Sequence, residues 1–304
     1  MGFSILLVDY KSIQTTLNYI ELCERYLHSS EQKQYIIVDN TEEAFGLKFV
    51  LSTYDTEMRT QVDGKDVYKF SYNEIIVYIS ATNNNGGYAK GNNFAAKISK
   101  ELFPNNNYIV SNNDILFDEE YDLDVISDEI LKNDIAVIGP NVINPDGSSI
   151  NPFNRPDEKF ILFALFLNSV LPRKIEQRPN DEVYTFSGCF WIFNSKYFTL
   201  AGGFDERTFL YFEEQIMSER IRKVGGKFKY LDDFNVIHNH VNHIMHPTKA
   251  LRMLKYFYES MSVYAKYYLG SPAYKLFLSK ILFSIIGCVY YVERAILFCL
   301  KGEK

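Results

Sequence analysis

The sequence carries little that would mark it for export, for nucleic acid or for a disulfide-built fold. Its four cysteines, Cys23, Cys189, Cys288 and Cys299, form no CxxC pair and no dense framework, which excludes a disulfide scaffold and fits inert thiols in a reducing compartment. Acidic residues outnumber basic ones, 38 to 32, and no long basic run occurs, which argues against a DNA or RNA partner. The N-terminus, MGFSILLVDYKS, has no basic n-region, and its apolar stretch stops at Asp9. A first strand is therefore expected there, not a signal peptide. The strongly apolar ILFSIIGCVYYV, 281–292, is closed off by Lys280 and by Glu293-Arg294, short of the roughly 18–20 residues a spanning helix needs. The expectation is a cytoplasmic protein that touches, at most, the inner face of the cell membrane.

What is present suits a packed core: 47% of the 304 residues are hydrophobic and 16% aromatic. Phe3 to Val8 and Tyr35 to Val38 are β-branched runs ending in Asp9 and Asp39, with a helical pattern of Leu17, Ile20, Leu22 and Leu27 between them. A third strand is predicted at 75–81 and a fourth at 108–110, each next to a helical segment. Strands alternating with helices predict an α/β fold with a mostly parallel sheet, whose ligands lie beyond the carboxyl ends of its strands. Asp9, Asp39, the 85–93 loop and Asp114 would gather at that edge. Segment 41–73 is polar and irregular, either an insertion or a strand pair.

Four stretches could carry chemistry. SNND, 111–114, puts two amides and a carboxylate at a strand end, either to offer Asp114 to Mg²⁺ or Mn²⁺ or simply to make a turn. NNNGGYAKGNN, 83–93, places Gly86, Gly87 and Gly91 between a strand and a helix, where backbone amides can meet an anion. It matches neither GxGxxG nor GxxxxGK[ST], so it has no dinucleotide or P-loop fingerprint. GGFDERTFLYFEE leads into a helix that opens with Glu213-Glu214, which either stabilise the helix start or act as a general base with a raised pKa. HNHVNHIMH holds His238, His240, His243 and His246, of which one is a plausible metal ligand.

In this order the four blocks resemble the family 2 inverting glycosyltransferases of the GT-A fold, in particular the rhamnosyltransferase-like branch of bacterial surface-polysaccharide synthesis. The likeness runs over roughly 3–240 and lies in the succession of motifs. It implies a nucleotide-sugar-binding half at 1–118, an acceptor-binding and catalytic half at 119–246, and C-terminal helices at 247–304. Asp9, Tyr10, Asp39, Asn85, Gly87, Gly91, Asn93 and Asn113 would bind the nucleotide sugar, with Lys11 standing where the family has asparagine. Asp114 matches the last carboxylate of the DXD-type metal motif and Asn112 its first, with His238 as a further ligand of Mn²⁺ or Mg²⁺. Glu214 takes the place of the usual base and Glu213 precedes it, while Gly203, Asp205, Arg220 and His240 fall on the acceptor or phosphate side. The donor implied is a UDP- or dTDP-linked sugar, and the acceptor a glycan or a polyprenyl-diphosphate-linked hydroxyl.

Two other functions compete. A lapsed, sugar-nucleotide-binding relative would explain Asn112, and a nucleotidyltransferase on a similar sheet would need a Gly-rich basic signature that FSILLVDYKSIQ lacks. The aromatic and basic helices of 249–300 suit a membrane surface, but equally a cap on the core or a homodimer seam.

Overall fold

The computed structural model of the chain describes residues 1–153, 183–239 and 246–301. Twelve strands are present among them: β1 (Phe3–Asp9), β2 (Leu27–His28), β3 (Gln34–Asp39), β4 (Thr56–Val62), β5 (Lys65–Tyr72), β6 (Ile75–Ala81), β7 (Asn107–Ser111), β8 (Ile115–Phe117), β9 (Tyr121–Asp122), β10 (Ile135–Ile143), β11 (Phe190–Phe193) and β12 (Lys227–His238). The helices are α1 (Ile13–Tyr26), α2 (Phe45–Thr53), α3 (Gly87–Leu102), α4 (Leu123–Asn133), α5 (Ser195–Leu200), α6 (Glu213–Lys223), α7 (Pro247–Tyr267) and α8 (Ala273–Lys301).

Ten strands form one sheet in the order β4-β5-β6-β3-β1-β7-β11-β10-β12-β8. Its centre is parallel: β3 lies on one side of β1, with Asp9 opposite Asp39, and β7 lies on the other. The expected α/β architecture with C-terminal helices is therefore present, edged by antiparallel strands. Successive side chains of β1 alternate between faces. Phe3, Ile5 and Leu7 pack with Leu17 and Ile20 of α1, whereas Leu6 joins Ala95 and Ile98 of α3 on the other face. Burial on both faces is why these strands read as unbroken apolar runs.

The chain winds from β1 through β3 to β6, then crosses by way of α3 to β7 on the opposite side of β1. The strand order thus reverses between β1 and β7, and a ligand crevice is expected beyond their carboxyl ends. Segment 41–73 is α2 followed by the β4–β5 hairpin, which extends the sheet at its edge. The C-terminal helix α8 continues without a break past Lys280 and Glu293-Arg294. Its Ala273–Cys299 stretch is long and apolar enough to cross a membrane by length and composition, which the shorter apolar run in the sequence did not suggest.

Candidate active site

At the end of β1 the Asp9 carboxylate accepts hydrogen bonds from the Ser12 hydroxyl (2.9 Å) and the Thr16 hydroxyl (2.7 Å). The amide of Asn113, just past β7, donates to these same two hydroxyls at 3.0 and 2.8 Å. One network therefore closes the switch point, joining the strand ends on its two sides. Burial raises the Asp9 pKa; the hydroxyls oppose the shift, and the charge of Asp39 adds to it. Ser12 and Thr16, which hold this network together, have no motif in the sequence to announce them.

Asp39 is fully buried and directed into its own loop. Its carboxylate accepts from the Thr41 amide and hydroxyl (3.0 and 2.7 Å) and from the Leu47 amide (2.9 Å), which anchors the start of α2. A Cβ on Gly46 would sit 3.4 Å from both the Asp39 and the Asp9 carboxylates, so the first turn of α2 covers the pair. Tyr10 is exposed beside them, under the Lys11 ammonium. Lys11 has φ 61°, a left-handed conformation that asparagine adopts more readily than lysine. Lys11, Thr41, Glu42, Glu43 and Phe45 line a cleft of about 340 Å³ next to these carboxylates.

The glycine loop is fixed from within. Asn40 accepts from the Gly86 amide and donates to the Gly87 carbonyl, and Asn85 accepts from the Gly87 amide. Gly87 has φ +79°, and a Cβ there would lie 2.2 Å from the Phe209 carbonyl oxygen, so only glycine fits. Gly91 allows α3 to pack on Val8 of β1. The Asn93 amide brackets Phe204, accepting from the backbone N–H at 2.8 Å and donating to the carbonyl at 2.9 Å. A Cβ on Gly203 would lie 2.5 Å from the Asn93 side-chain oxygen.

The carboxyl pair opens α6. Tyr211 and Phe212, immediately before it, both have positive φ (72° and 63°), an uncommon backbone for two aromatic residues. Their rings are held against Phe257 of α7, at 5.6 and 5.1 Å between centroids. Glu213 is buried, and its Oε2 has no hydrogen-bond partner among the described residues. Glu214 Oε1 accepts from the Gly188 amide at 3.1 Å. Burial raises the pKa of both carboxyls, and the Glu214 charge pushes Glu213 further, whereas backbone N–H groups pull Glu214 back. Arg220 donates to the Ala201 and Gly202 carbonyls at 2.8 and 3.1 Å.

Asp114, in the turn just before β8, meets His238 at the end of β12, with Oδ1 3.4 Å from Nε2. β12 pairs with β8 so that His238 stands opposite Ile115. The dipeptide Gly188-Cys189 links this corner to the carboxyl pair: Gly188 holds Glu214, and the Cys189 carbonyl accepts from the Asn112 amide at 2.8 Å. Tyr88 of the glycine loop donates its hydroxyl to the Gly188 carbonyl at 2.7 Å. Gly188 has no motif in the sequence to announce it, whereas Tyr88 falls inside the 83–93 loop that the sequence does mark. Asp205 binds Arg207 and accepts from the Tyr268 hydroxyl at 2.6 Å, joining its loop to the C-terminal helices. Burial opposes ionisation of Asp205, but Arg207 and Tyr268 win and hold its carboxyl at about 2. His240 lies outside the described residues.

No protein-family model and no curated protein matches the sequence. Among solved structures, the chain is similar to Staphylococcus aureus TarS 1–349 in complex with UDP, with 15% identity and a TM-score of 0.48 over 86% of this chain and 65% of that one. It is similar to a second structure, S. aureus TarS, at 15% identity and a TM-score of 0.49, covering 87% of this chain and 39% of that one. The chain therefore spans less than two thirds of the length of either. These likenesses are distant.

Proposed function

We propose that the chain is a glycosyltransferase that moves a hexosyl or deoxyhexosyl group from a nucleoside diphosphate sugar to a hydroxyl, with inversion. The acceptor is a glycan or a polyprenyl-diphosphate-linked sugar of surface-polysaccharide synthesis. The reading is carried by one observation: Gly188-Cys189 holds the half-buried Glu214 carboxylate on one side and, through the Asn112 amide, the turn that leads to Asp114 on the other. A base and a cation-binding corner thus flank a single backbone segment beside the switch point.

Glu214 takes the proton of the attacking hydroxyl, which its raised pKa suits, and the Gly188 amide fixes its direction. Glu213 lies beside it with its carboxyl raised by burial and by the Glu214 charge, so a proton held on Glu213 limits the negative charge beside the base. The glycine loop and Asn113 shape the nucleotide side, with Tyr10 offering an exposed ring to a uracil or thymine base. Asp114 and His238 fit a divalent cation. Donors 3.4 Å apart are close to the roughly 3 Å between adjacent ligands of a cation with bonds of about 2.1 Å. The mixture of carboxylate and imidazole favours Mn²⁺ over Mg²⁺. When bound, such a cation would neutralise charge on the departing diphosphate.

The test is donor turnover and transfer across UDP- and dTDP-sugars, with Mn²⁺, Mg²⁺ or chelator, together with thermal shifts for the same ligands. Stabilisation by a nucleoside diphosphate and metal-dependent turnover are expected. Nucleotide binding without any turnover would leave a lapsed relative, and no response to any nucleotide would overturn both readings.

A further inference from the structure

The C-terminal hairpin has a face that the active site does not use. α7 and α8 run antiparallel, joined by stacking of Tyr258 on Phe283 (4.3 Å), by the Tyr258 and Ser279 hydroxyls (3.2 Å) and by the His246 and Phe298 rings (5.0 Å). On the opposite side of α8, residues Phe277, Leu278, Ile281, Ile285, Val289, Val292 and Ile296 recur at helical spacing, each about half exposed or more. Lys280 and Arg294 project toward the α7 side by their helical phase, and Glu293 falls at the edge of the stripe, so no charge lies within it. Beside it, α7 and α8 enclose an apolar groove of about 840 Å³, lined by Leu251, Phe283, Gly287 and Val292 and edged by Arg252 and Lys255.

We propose that this hairpin lies flat on an anionic lipid surface, with the α8 stripe among the acyl chains and Arg252 and Lys255 at the phosphates. Charge selects the occupant. Residues 246–301 hold eight Lys and Arg against two Glu, a net +6 in a chain whose total is −6, so the rest of the chain carries −12. A basic, apolar hairpin on an acidic body is drawn to anionic lipid, whereas a second copy would bring like charge against it. α8 is long enough to span, but α7 runs along it with Lys249, Arg252, Lys255 and Glu259, which hydrocarbon would not tolerate. Lying in the interface keeps those groups wet.

The hairpin also grips the loop that delivers the carboxyl pair. Ser260 donates to the Leu210 carbonyl at 2.8 Å, and the Tyr268 hydroxyl binds Asp205. Docking therefore holds the candidate active site at the lipid surface. The proposal does not rest on the glycosyltransferase reading, because its test needs no activity.

The experiment is co-sedimentation of the full chain with phosphatidylcholine vesicles, with and without phosphatidylglycerol, at low and high salt. Binding is expected only with the anionic lipid. It should fall by roughly tenfold or more in an Arg252→Glu/Lys255→Glu variant. It should be lost in an Ile285→Asp/Val289→Asp variant whose circular dichroism and melting temperature are those of the parent. Alkaline carbonate should release the bound protein. Absence of binding, or equal binding by the stripe variant, overturns the proposal, as does equal binding to neutral vesicles. Resistance to carbonate would mean spanning and would overturn the flat placement. A dimer in light scattering that the stripe variant dissociates, without vesicle binding, would assign the face to a second copy.

Discussion

Asp114 Oδ1 and His238 Nε2 stand 3.4 Å apart although 124 positions separate them in sequence, because β8 and β12 pair at the edge of the sheet. If the pair holds the cation, Asp114→Ala should lower metal-dependent donor turnover by roughly a hundredfold or more. His238→Ala should give a smaller loss, with a weaker apparent affinity for Mn²⁺ in a metal titration. Turnover that ignores both chelator and Asp114→Ala would remove the metal role.

Glu214 and Glu213 are separable by function. Glu214→Gln should retain nucleotide binding while kcat falls by about 10²–10⁴-fold, the range for loss of a positioned base. Glu213→Gln should cost less. A reversal of these two effects, measured with the same donor, would move the base to Glu213.

Stability against pH tests the burial of Glu213 without any substrate. Its carboxyl is raised by burial and by Glu214, so the native state keeps a proton that the unfolded chain loses above about 4.5. Native protein then binds more protons than unfolded, and stability falls as pH rises from that point. Glu213→Gln should raise the melting temperature at neutral pH and leave it unchanged at pH near 4. A destabilised Gln variant at neutral pH would show that the ionised carboxylate has a partner.

Much of this arrangement was legible because buried parallel strands announce themselves. β1, β3, β6 and β7 are apolar on both faces, and the expected convergence of Asp9, Asp39, the 85–93 loop and Asp114 at one sheet edge follows from their shared direction. Residues 41–73 were opaque because β4, at the sheet edge, exposes most of TEMRTQV and shows no two-residue alternation. Direction was the other gap. Arg220 has the right spacing on α6, but its guanidinium closes the Ala201 and Gly202 carbonyls, and Asn93 likewise serves a backbone segment. In α8, charges that break the apolar run along the sequence lie off the stripe, which only the three-dimensional helix reveals.

Gly87 offers a test of the loop itself. An alanine there would meet both the positive φ and the Phe209 carbonyl 2.2 Å from its Cβ, so α3 would have to move off the 203–212 loop. Gly87→Ala should destabilise by more than about 2 kcal/mol in denaturant unfolding and reduce donor binding. Wild-type stability in that variant would mean that the loops are not in contact.

Asp205 links the site to the C-terminal helices, and acid should undo the link. Its folded pKa of about 2 lies below the ordinary 3.8, because the Arg207 and Tyr268 bonds outweigh burial. The group therefore adds stability above about 3.8 that is lost as pH falls toward 2. Asp205→Asn should lower stability at neutral pH and do so far less near pH 2, in urea titrations at the two pH values. Because Arg207 also stacks on Tyr267 at 3.9 Å, the same variant should loosen α7 from the loop before the sheet unfolds. Hydrogen exchange would then show faster opening of 205–212 and of the end of α7, with β1 and β3 protected as in the parent.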